Sequence, residues 1–262
     1  MKIAVCIKQV PGTSKVEVDE KTGVLKREGV DSKINPYDLF ALESALLLKE
    51  KTGAEIWAIT MGPPQAKAVL REAYMMGVDH GVLLTDRCFA GADVLATSHA
   101  ISQGLRAAGP FDLILCGKQT TDGDTAQVGP EIAEFLSIPH VADVRKICAL
   151  TETTLTVESD LPNCVEVAEV RLPCLISVAK DIVQPRLPSF RLKIKTKECP
   201  MICLTMNEMA DRNPNEYGLN GSPTQVQRIF PPEVLDSHER WEGTSDDLAG
   251  RLFEKLTKLK AI

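Results

Sequence analysis

Four short apolar runs, residues 3–7, 56–61, 81–85 and 112–116, are each separated from the next by a stretch with helical periodicity. Continuous apolar runs of this length, alternating with helices, are the signature of parallel strands buried on both faces. The first helix is announced by Asn35-Pro36, a cap residue followed by proline at the first helical position, with Leu39, Leu42, Leu46 and Leu47 on one face. Its early acids Asp38 and Glu43 and its late Lys49 and Lys51 suit the helix dipole. Further helices are predicted over about 65–76, 91–107 and 127–136. The fold class expected is therefore α/β, a doubly wound, mainly parallel, Rossmann-like sheet whose ligands bind outside the carboxyl ends of its strands.

After Pro139 the texture becomes β-rich, with runs at 140–150, 153–159, 165–172 and 175–179 and turn chemistry at Asp160-Leu161-Pro162-Asn163. These four runs are expected to form an antiparallel addition to the sheet. Beyond Val183 come Pro185, Pro188, Pro200, Pro214, Pro223, Pro231 and Pro232, with Asn207, Asn213, Asn215 and Asn220 between them. About forty structureless residues are rare in a compact domain, so this stretch reads as an arm, disordered or laid on another chain. It ends in a predicted helix capped by Ser245, with Asp246 and Asp247 in the first turn and a Leu248, Leu252, Leu256 and Leu259 stripe that needs a surface. The division expected is an α/β domain over 1–190 and an arm over 191–262.

Composition narrows the function classes. The chain carries a net charge of −6, which argues against a polyanion-binding surface and hence against nucleic acid as a partner. No apolar run approaches the roughly 20 residues that span a bilayer, and the Ile3 to Ile7 run is shorter than the 7–15 residues of a secretory core. The start of the chain reads as a strand, and eight scattered cysteines read as reduced thiols in the cytoplasm. Cys199 and Cys203 form a C-x3-C pair without a second pair, so small buried hydrophobes are favoured over a metal site.

The chemistry concentrates after the fourth run. Gly117-Lys118-Gln119-Thr120-Thr121-Asp122-Gly123-Asp124-Thr125-Ala126-Gln127-Val128-Gly129-Pro130 joins it to an amphipathic helix. Strand, small-residue loop and helix start make a phosphate site in outline, because free backbone N–H groups and the positive end of the helix dipole converge there. Pro130 has no N–H, which leaves the donors near Thr125 to Gly129. A Walker A loop would need glycine where Asp112 stands, and the first strand is followed by Lys8-Gln9-Val10-Pro11-Gly12 rather than by a GxGxxG fingerprint. Asp122 and Asp124 would repel a pyrophosphate if they faced it, so they are expected to turn to ribose hydroxyls or cap the helix while Thr125, Gln127 and the backbone do the cradling. A polar loop rich in cap residues accounts for the same letters equally well.

Several ordered motifs together point further. The opening Val5-Cys6-Ile7-Lys8-Gln9-Val10, Asn35-Pro36-Tyr37-Asp38 with Glu43 and Ala45 behind it, Met61-Gly62-Pro63, Gly117-Lys118-Gln119 and Leu187-Pro188-Ser189 resemble the β subunit of electron transfer flavoprotein over essentially the whole chain. The resemblance implies an α/β nucleotide-binding domain paired with an α subunit that carries the electron-transferring FAD. Carried over, its nucleotide contacts fall on Cys6, Asn35, Pro36, Tyr37, Asp38, Met61 and the loop residues Gly117, Lys118, Gln119, Thr120, Thr121, Asp122, Gly123, Asp124, Thr125, Ala126, Gln127 and Val128. Ordinary carriers of the family show three acids and then an Asn-Gln-Thr run that grips the single phosphate of a structural AMP. Here Ala126 replaces the Asn donor, and Gly123 frees the backbone for close approach. That departure resembles the electron-bifurcating branch, which implies a second FAD in the AMP position and NAD(H) as electron donor or acceptor.

Arg191, Lys193, Lys195 and Lys197 alternate with Leu192, Ile194 and Thr196. One reading is an edge strand guarded by its lysines. By the resemblance, this stretch together with Leu187 is a recognition loop that docks an acyl-CoA or hydroxy-acid dehydrogenase, with ferredoxin or flavodoxin as a candidate low-potential acceptor. His140 reads as a strand start, and His80, His99 and His238 have no nucleophile or ligand at motif spacing. A flavin would carry the electrons, so catalytic side chains are not required. The rivals are a plain carrier subunit holding AMP and, from another class, a stand-alone adenine-nucleotide binder.

Overall fold

The computed structural model describes residues 1–12, 32–227 and 239–262; Pro231, Pro232 and His238 lie outside the described residues. In chain order the strands are β1 (Lys2–Cys6), β2 (Gln9–Pro11), β3 (Ser32–Ile34), β4 (Glu55–Met61), β5 (His80–Leu84), β6 (Leu113–Gly117), β7 (His140–Leu150), β8 (Thr154–Leu161), β9 (Cys164–Arg171), β10 (Cys174–Val178) and β11 (Met201–Leu204). The helices are α1 (Pro36–Thr52), α2 (Lys67–Met76), α3 (Val94–Ala108), α4 (Val128–Leu136), α5 (Phe190–Lys195) and α6 (Ser245–Lys258). Among the described residues, nine strands make one mixed sheet in the order β11-β5-β4-β1-β6-β10-β7-β8-β9, and β2 and β3 form a separate hairpin. Every pairing from β11 across to β7 is parallel; β8 and β9 complete the sheet antiparallel.

The four apolar runs are β1, β4, β5 and β6, each buried on both faces as their lack of alternation requires. One face carries Leu42, Leu46, Leu70 and Met76 from α1 and α2 against Ile3, Val5, Ile56 and Leu113; the other is packed by Ala100 and Leu105 of α3 and Ile132 of α4 against Ala4, Ile59, Val82 and Ile114. A fully buried Leu or Ile contributes roughly 1.5–3 kcal/mol relative to exposure, so these two faces hold the architecture. Strands β4 and β5 lie to one side of β1 and strands β6 and β10 to the other. The direction of winding therefore reverses between β1 and β6, and a crevice opens at their carboxyl ends.

Three expectations are corrected. The run at 175–179 is not part of an antiparallel addition: as β10 it lies between β6 and β7, parallel to both. Its five residues are all buried, as an interior strand demands. The Arg191–Lys197 stretch is not an edge strand, since Phe190–Lys195 is helical with the Ser189 side chain accepting from the Leu192 N–H. The residues beyond 190 are not structureless either: β11 joins the sheet beside β5, and Met209 and Tyr217 are buried against the α3 face. Gly218, at φ +53, lets the chain press on the Cys88 carbonyl, 2.1 Å from where a Cβ would stand. No helix among the described residues is long and apolar enough to cross a membrane.

Candidate functional site

The crevice at the reversal is built from the residues that follow β1 and β6 and from the start of α1. Asn35, expected as a helix cap, makes no side-chain cap. It is fully buried and ties the crevice together instead. Its Nδ2 donates to Asp38 Oδ1 at 2.9 Å and to the Gln119 carbonyl at 2.8 Å, and its Oδ1 accepts from the Thr121 N–H at 3.2 Å. Asp38 Oδ2 accepts from the Lys8 N–H at 2.7 Å. Burial raises the Asp38 carboxyl to about 7, against the opposing pull of Asn35, of the Lys8 and Gly117 backbone N–H groups and of the Lys8 charge. Gly117 must be glycine, because a Cβ there would stand 2.5 Å from Asp38 Oδ1 and 2.6 Å from the Tyr37 carbonyl carbon.

Beneath the loop, Cys6 and Cys116 sit side by side in the β1–β6 register, both buried. The hydrogen bond from Cys6 and the burial push the Cys116 thiol up, so Cys116 stays uncharged. Gly129 presses on it, its Cβ position 3.3 Å from Cys116 Sγ. Met61 ends β4, the neighbour of β1, and packs against the same core face.

Neither loop acid caps α4, whose first turn lacks a side-chain cap. The Lys8 ammonium grips Asp122 at 2.8 and 2.9 Å, and Gln119 Nε2 donates to Asp124. Burial works against the Asp122 charge, but the hydrogen bond and charge of Lys8 outweigh it and hold the carboxyl below its ordinary value. Lys118 pairs with Asp143 at 2.8 Å, and Tyr37 Oη accepts from Gln119 at 3.4 Å. Thr121 to Gln127 are exposed. Asp124 and Ala126 both hold φ +56, a strained conformation for alanine. Among the described residues, no group accepts from the backbone N–H of Gly123 or of Thr125 to Gly129, and the side chains of Thr125 and Gln127 make no hydrogen bond. The result is a shelf of unpaired donors beside which the Asp122 charge is met by Lys8 and Asp124 is held by the Gln119 amide, an arrangement whose free N–H groups suit an anionic group such as a phosphate.

Hydrogen bonds thus join Asn35, Tyr37, Asp38, Gln119, Thr121, Asp122 and Asp124 in one network, with Pro36 opening α1 and Cys6 below. Lys8 was not among the residues carried over, although it supplies both a backbone and a side-chain contact. Its place two residues past β1 was the available signal. A second feature lies apart. Leu187, Phe190 and Ile194 are exposed at 87%, 73% and 65%, an apolar patch on a polar surface. Arg191, Lys193, Lys195 and Lys197, all exposed, belong to the same segment.

The segment is anchored behind this patch. Arg186 donates from Nε and Nη2 to the two oxygens of Glu43, each at 2.8 Å, and from its backbone N–H at 3.0 Å. Its Nη1 reaches Glu50 at 2.8 Å, and Ser189 N–H donates to the Met75 carbonyl. Cys199 precedes β11 and Cys203 lies within it, exposed. His80 stacks on Trp57 and pairs with Glu55, while His99 packs against Tyr217 and meets Asp211 at 3.2 Å.

A model of the electron transfer flavoprotein domain matches residues 22–202. The chain is 44% identical to the caffeyl-CoA reductase-Etf complex subunit CarD of Acetobacterium woodii, over 98% of each chain. It is 43% identical to an electron transfer flavoprotein subunit beta of Clostridium acetobutylicum, again over 98% of each. A third relative, the acryloyl-CoA reductase electron transfer subunit gamma of Anaerotignum propionicum, is 39% identical over the full length of both.

Proposed function

The chain belongs to the electron transfer flavoprotein family as a β subunit, and on that premise we propose that its crevice holds FAD rather than AMP, in an electron-bifurcating heterodimer. The observation that carries the reading is the shelf from Gly123 to Gly129, whose donors are unpaired and whose acids are held by Lys8 and Gln119. Ala126 leaves no polar side chain where the AMP-type carriers place one, and a Cβ on Gly123 would meet nothing nearer than Thr120 Oγ1 at 3.4 Å. Both favour a pyrophosphate over a single phosphate. When bound, the flavin would supply redox chemistry, taking hydride from NADH and passing electrons singly toward the α-subunit FAD and toward ferredoxin or flavodoxin. The chain's own part is to hold the pyrophosphate on the Thr125 to Gly129 donors, to keep the floor uncharged at Cys116, and to fix the loop stem through Asn35.

The names of the relatives from Acetobacterium woodii and Anaerotignum propionicum place those proteins with a caffeyl-CoA reductase and an acryloyl-CoA reductase. We extend this to an acyl-CoA or hydroxy-acid dehydrogenase as partner of this chain, docking on Leu187, Phe190 and Ile194 with an acidic rim set against Arg191, Lys193, Lys195 and Lys197. Extraction of the nucleotides from the purified heterodimer tests the first reading. Two FAD per heterodimer are expected, and one FAD with one AMP would return the protein to the plain carriers. Changing Lys193, Lys195 and Lys197 to Glu tests the second. Flavin content should be unchanged while electron delivery slows, most visibly in dilute buffer where charge is least screened.

A further inference from the structure

We propose that Asp38 is a positioning residue that holds the phosphate loop in its binding shape through Asn35, and that the crevice grips its nucleotide firmly only while the Asp38 carboxyl is ionised. The inference rests on the reading of the crevice as a nucleotide site. Among the described residues, every group that hydrogen-bonds this carboxyl is a donor: the Lys8 N–H at 2.7 Å, the Asn35 amide at 2.9 Å and the Gly117 N–H. A proton on Asp38 still leaves a lone pair for each of the three donors but adds an O–H with no acceptor among them, and of the three the one that can supply an acceptor is the Asn35 amide, by turning its Oδ1 toward the acid.

The Lys8 and Gly117 N–H groups belong to the backbone beside β1 and β6 and cannot yield. The carboxyl is buried and held on both oxygens, Oδ2 by the Lys8 N–H and Oδ1 by the Asn35 amide. What can rotate is the Asn35 side chain. Its amide is fully used, donating to the Gln119 carbonyl and accepting from the Thr121 N–H, so its rotation releases both ends of the loop stem. Among the described residues, no hydrogen bond joins Asp38 to the loop beyond Gly117 except through this amide.

The charged and titratable groups facing Asp38 are few. On the β1 side stand Cys6 and Lys8, the latter committed to Asp122; on the β6 side stands Cys116, whose thiol is pushed up and uncharged. Lys118 is committed to Asp143, and Tyr37 to Gln119. Burial has already raised the Asp38 carboxyl to about 7, so the change falls at neutral pH.

The test uses the heterodimer with its α-subunit flavin retained and its β-subunit nucleotide removed, titrated with FAD and separately with AMP from about pH 5.5 to about pH 8.5. The pyrophosphate of FAD keeps its charge over this range. The phosphate of AMP titrates near 6, and subtracting the profile of Asp38→Asn removes that contribution. Wild-type affinity is expected to fall roughly tenfold toward the acid end, whereas Asp38→Asn binds weakly and without that slope. Equal slopes in the two proteins would overturn the proposal. Binding of AMP alone would overturn the FAD reading, and the wild-type minus Asp38→Asn difference would still decide the role of Asp38. Should Asp38→Asn fail to fold, Asn35→Ala is the second variant: it keeps the carboxyl but cuts its link to the loop. Its affinity should be low and free of the slope, and a retained slope would count against the relay.

Discussion

Gly117 and Gly123 lie six residues apart and make opposite demands. A methyl group at 117 would collide with Asp38 and the Tyr37 backbone, whereas one at 123 would meet only Thr120 Oγ1 at ordinary contact distance. Gly117→Ala should therefore destabilise the fold by about 1–3 kcal/mol, read from the midpoint of chemical denaturation. Gly123→Val should leave that midpoint in place yet cost the β-subunit nucleotide while the α-subunit flavin stays; full retention of both nucleotides would mark the loop as ordinary surface. The buried acid gives a pH signature of its own. Since the folded state raises Asp38 from 3.8 to about 7, the native chain holds this proton more tightly than the unfolded one. The stability it contributes is complete below the unfolded value and is lost as pH rises through about 7. Comparing wild type with Asp38→Asn across this window should show wild type losing ground with rising pH, the reverse of the slope expected for nucleotide affinity. Little of this was legible from the letters. The family resemblance puts Asn35 and Asp38 among the expected nucleotide contacts, but a cap residue before proline gives no hint that its amide turns inward, because the competing partners come from a loop 84 and 86 positions away.

At the scale of elements, periodicity was a good guide wherever burial is symmetric and a poor one at the surface. The runs that became β1, β4, β5 and β6 are buried on both faces, so their letters had no choice of partner. Arg191 to Lys197 alternates charge and apolarity with a period of two, yet five residues of it are helical, because the Ser189 cap and the α2 surface select the turn that brings Leu192 to Thr196. Propensity over so short a stretch is overridden by its anchors. The strongest anchor is Arg186, and its removal is informative. Glu43 is 5% exposed and Arg186 about a third exposed. Arg186→Ala would strand a carboxylate inside the protein, at a cost of roughly 3 kcal/mol, the low end for a broken buried pair given the partial exposure. Arg186→Gln combined with Glu43→Gln leaves no orphan charge and should recover most of that loss. Denaturation midpoints of the single and double variants check this, and equal losses in both would mean the pairing itself contributes nothing. The patch around Leu187 should become mobile in Arg186→Ala, as faster amide exchange over 187–195.

At the scale of the whole molecule, the question is where this chain's own core ends and its partner's begins. The proline- and asparagine-rich letters after Val183 suggested one continuous arm, but the boundary lies further along. Met209 and Tyr217 are each 1% exposed, Tyr217 Oη donates to the Asp211 carbonyl at 2.6 Å, and Thr224 is tied to Asp93 at the head of α3. Two buried side chains were enough to fix some twenty residues that composition alone could not place. Past them the burial reverses. α6 has a helix start made by the Thr244 side chain, one residue before the Ser245 expected, and acids in its first turn with lysines in its last. Yet none of its residues is buried, and Leu252, Phe253 and Leu259 are at least half exposed. A helix this short owes most of its stability to what it packs on, so a leucine stripe left open is a surface for another chain, here proposed as the α subunit. A cut at residue 205 would tear Met209 and Tyr217 from the core and confuse folding with assembly. Removal of residues 239–262 takes α6 alone. The shortened chain should unfold at the same denaturant midpoint as the full β subunit measured by itself, within about 0.5 kcal/mol, but fail to hold the α subunit in gel filtration. If instead the heterodimer survives the cut, α6 does not serve that interface; if the midpoint of the isolated chain drops by several kcal/mol, the helix belongs to this chain's own fold.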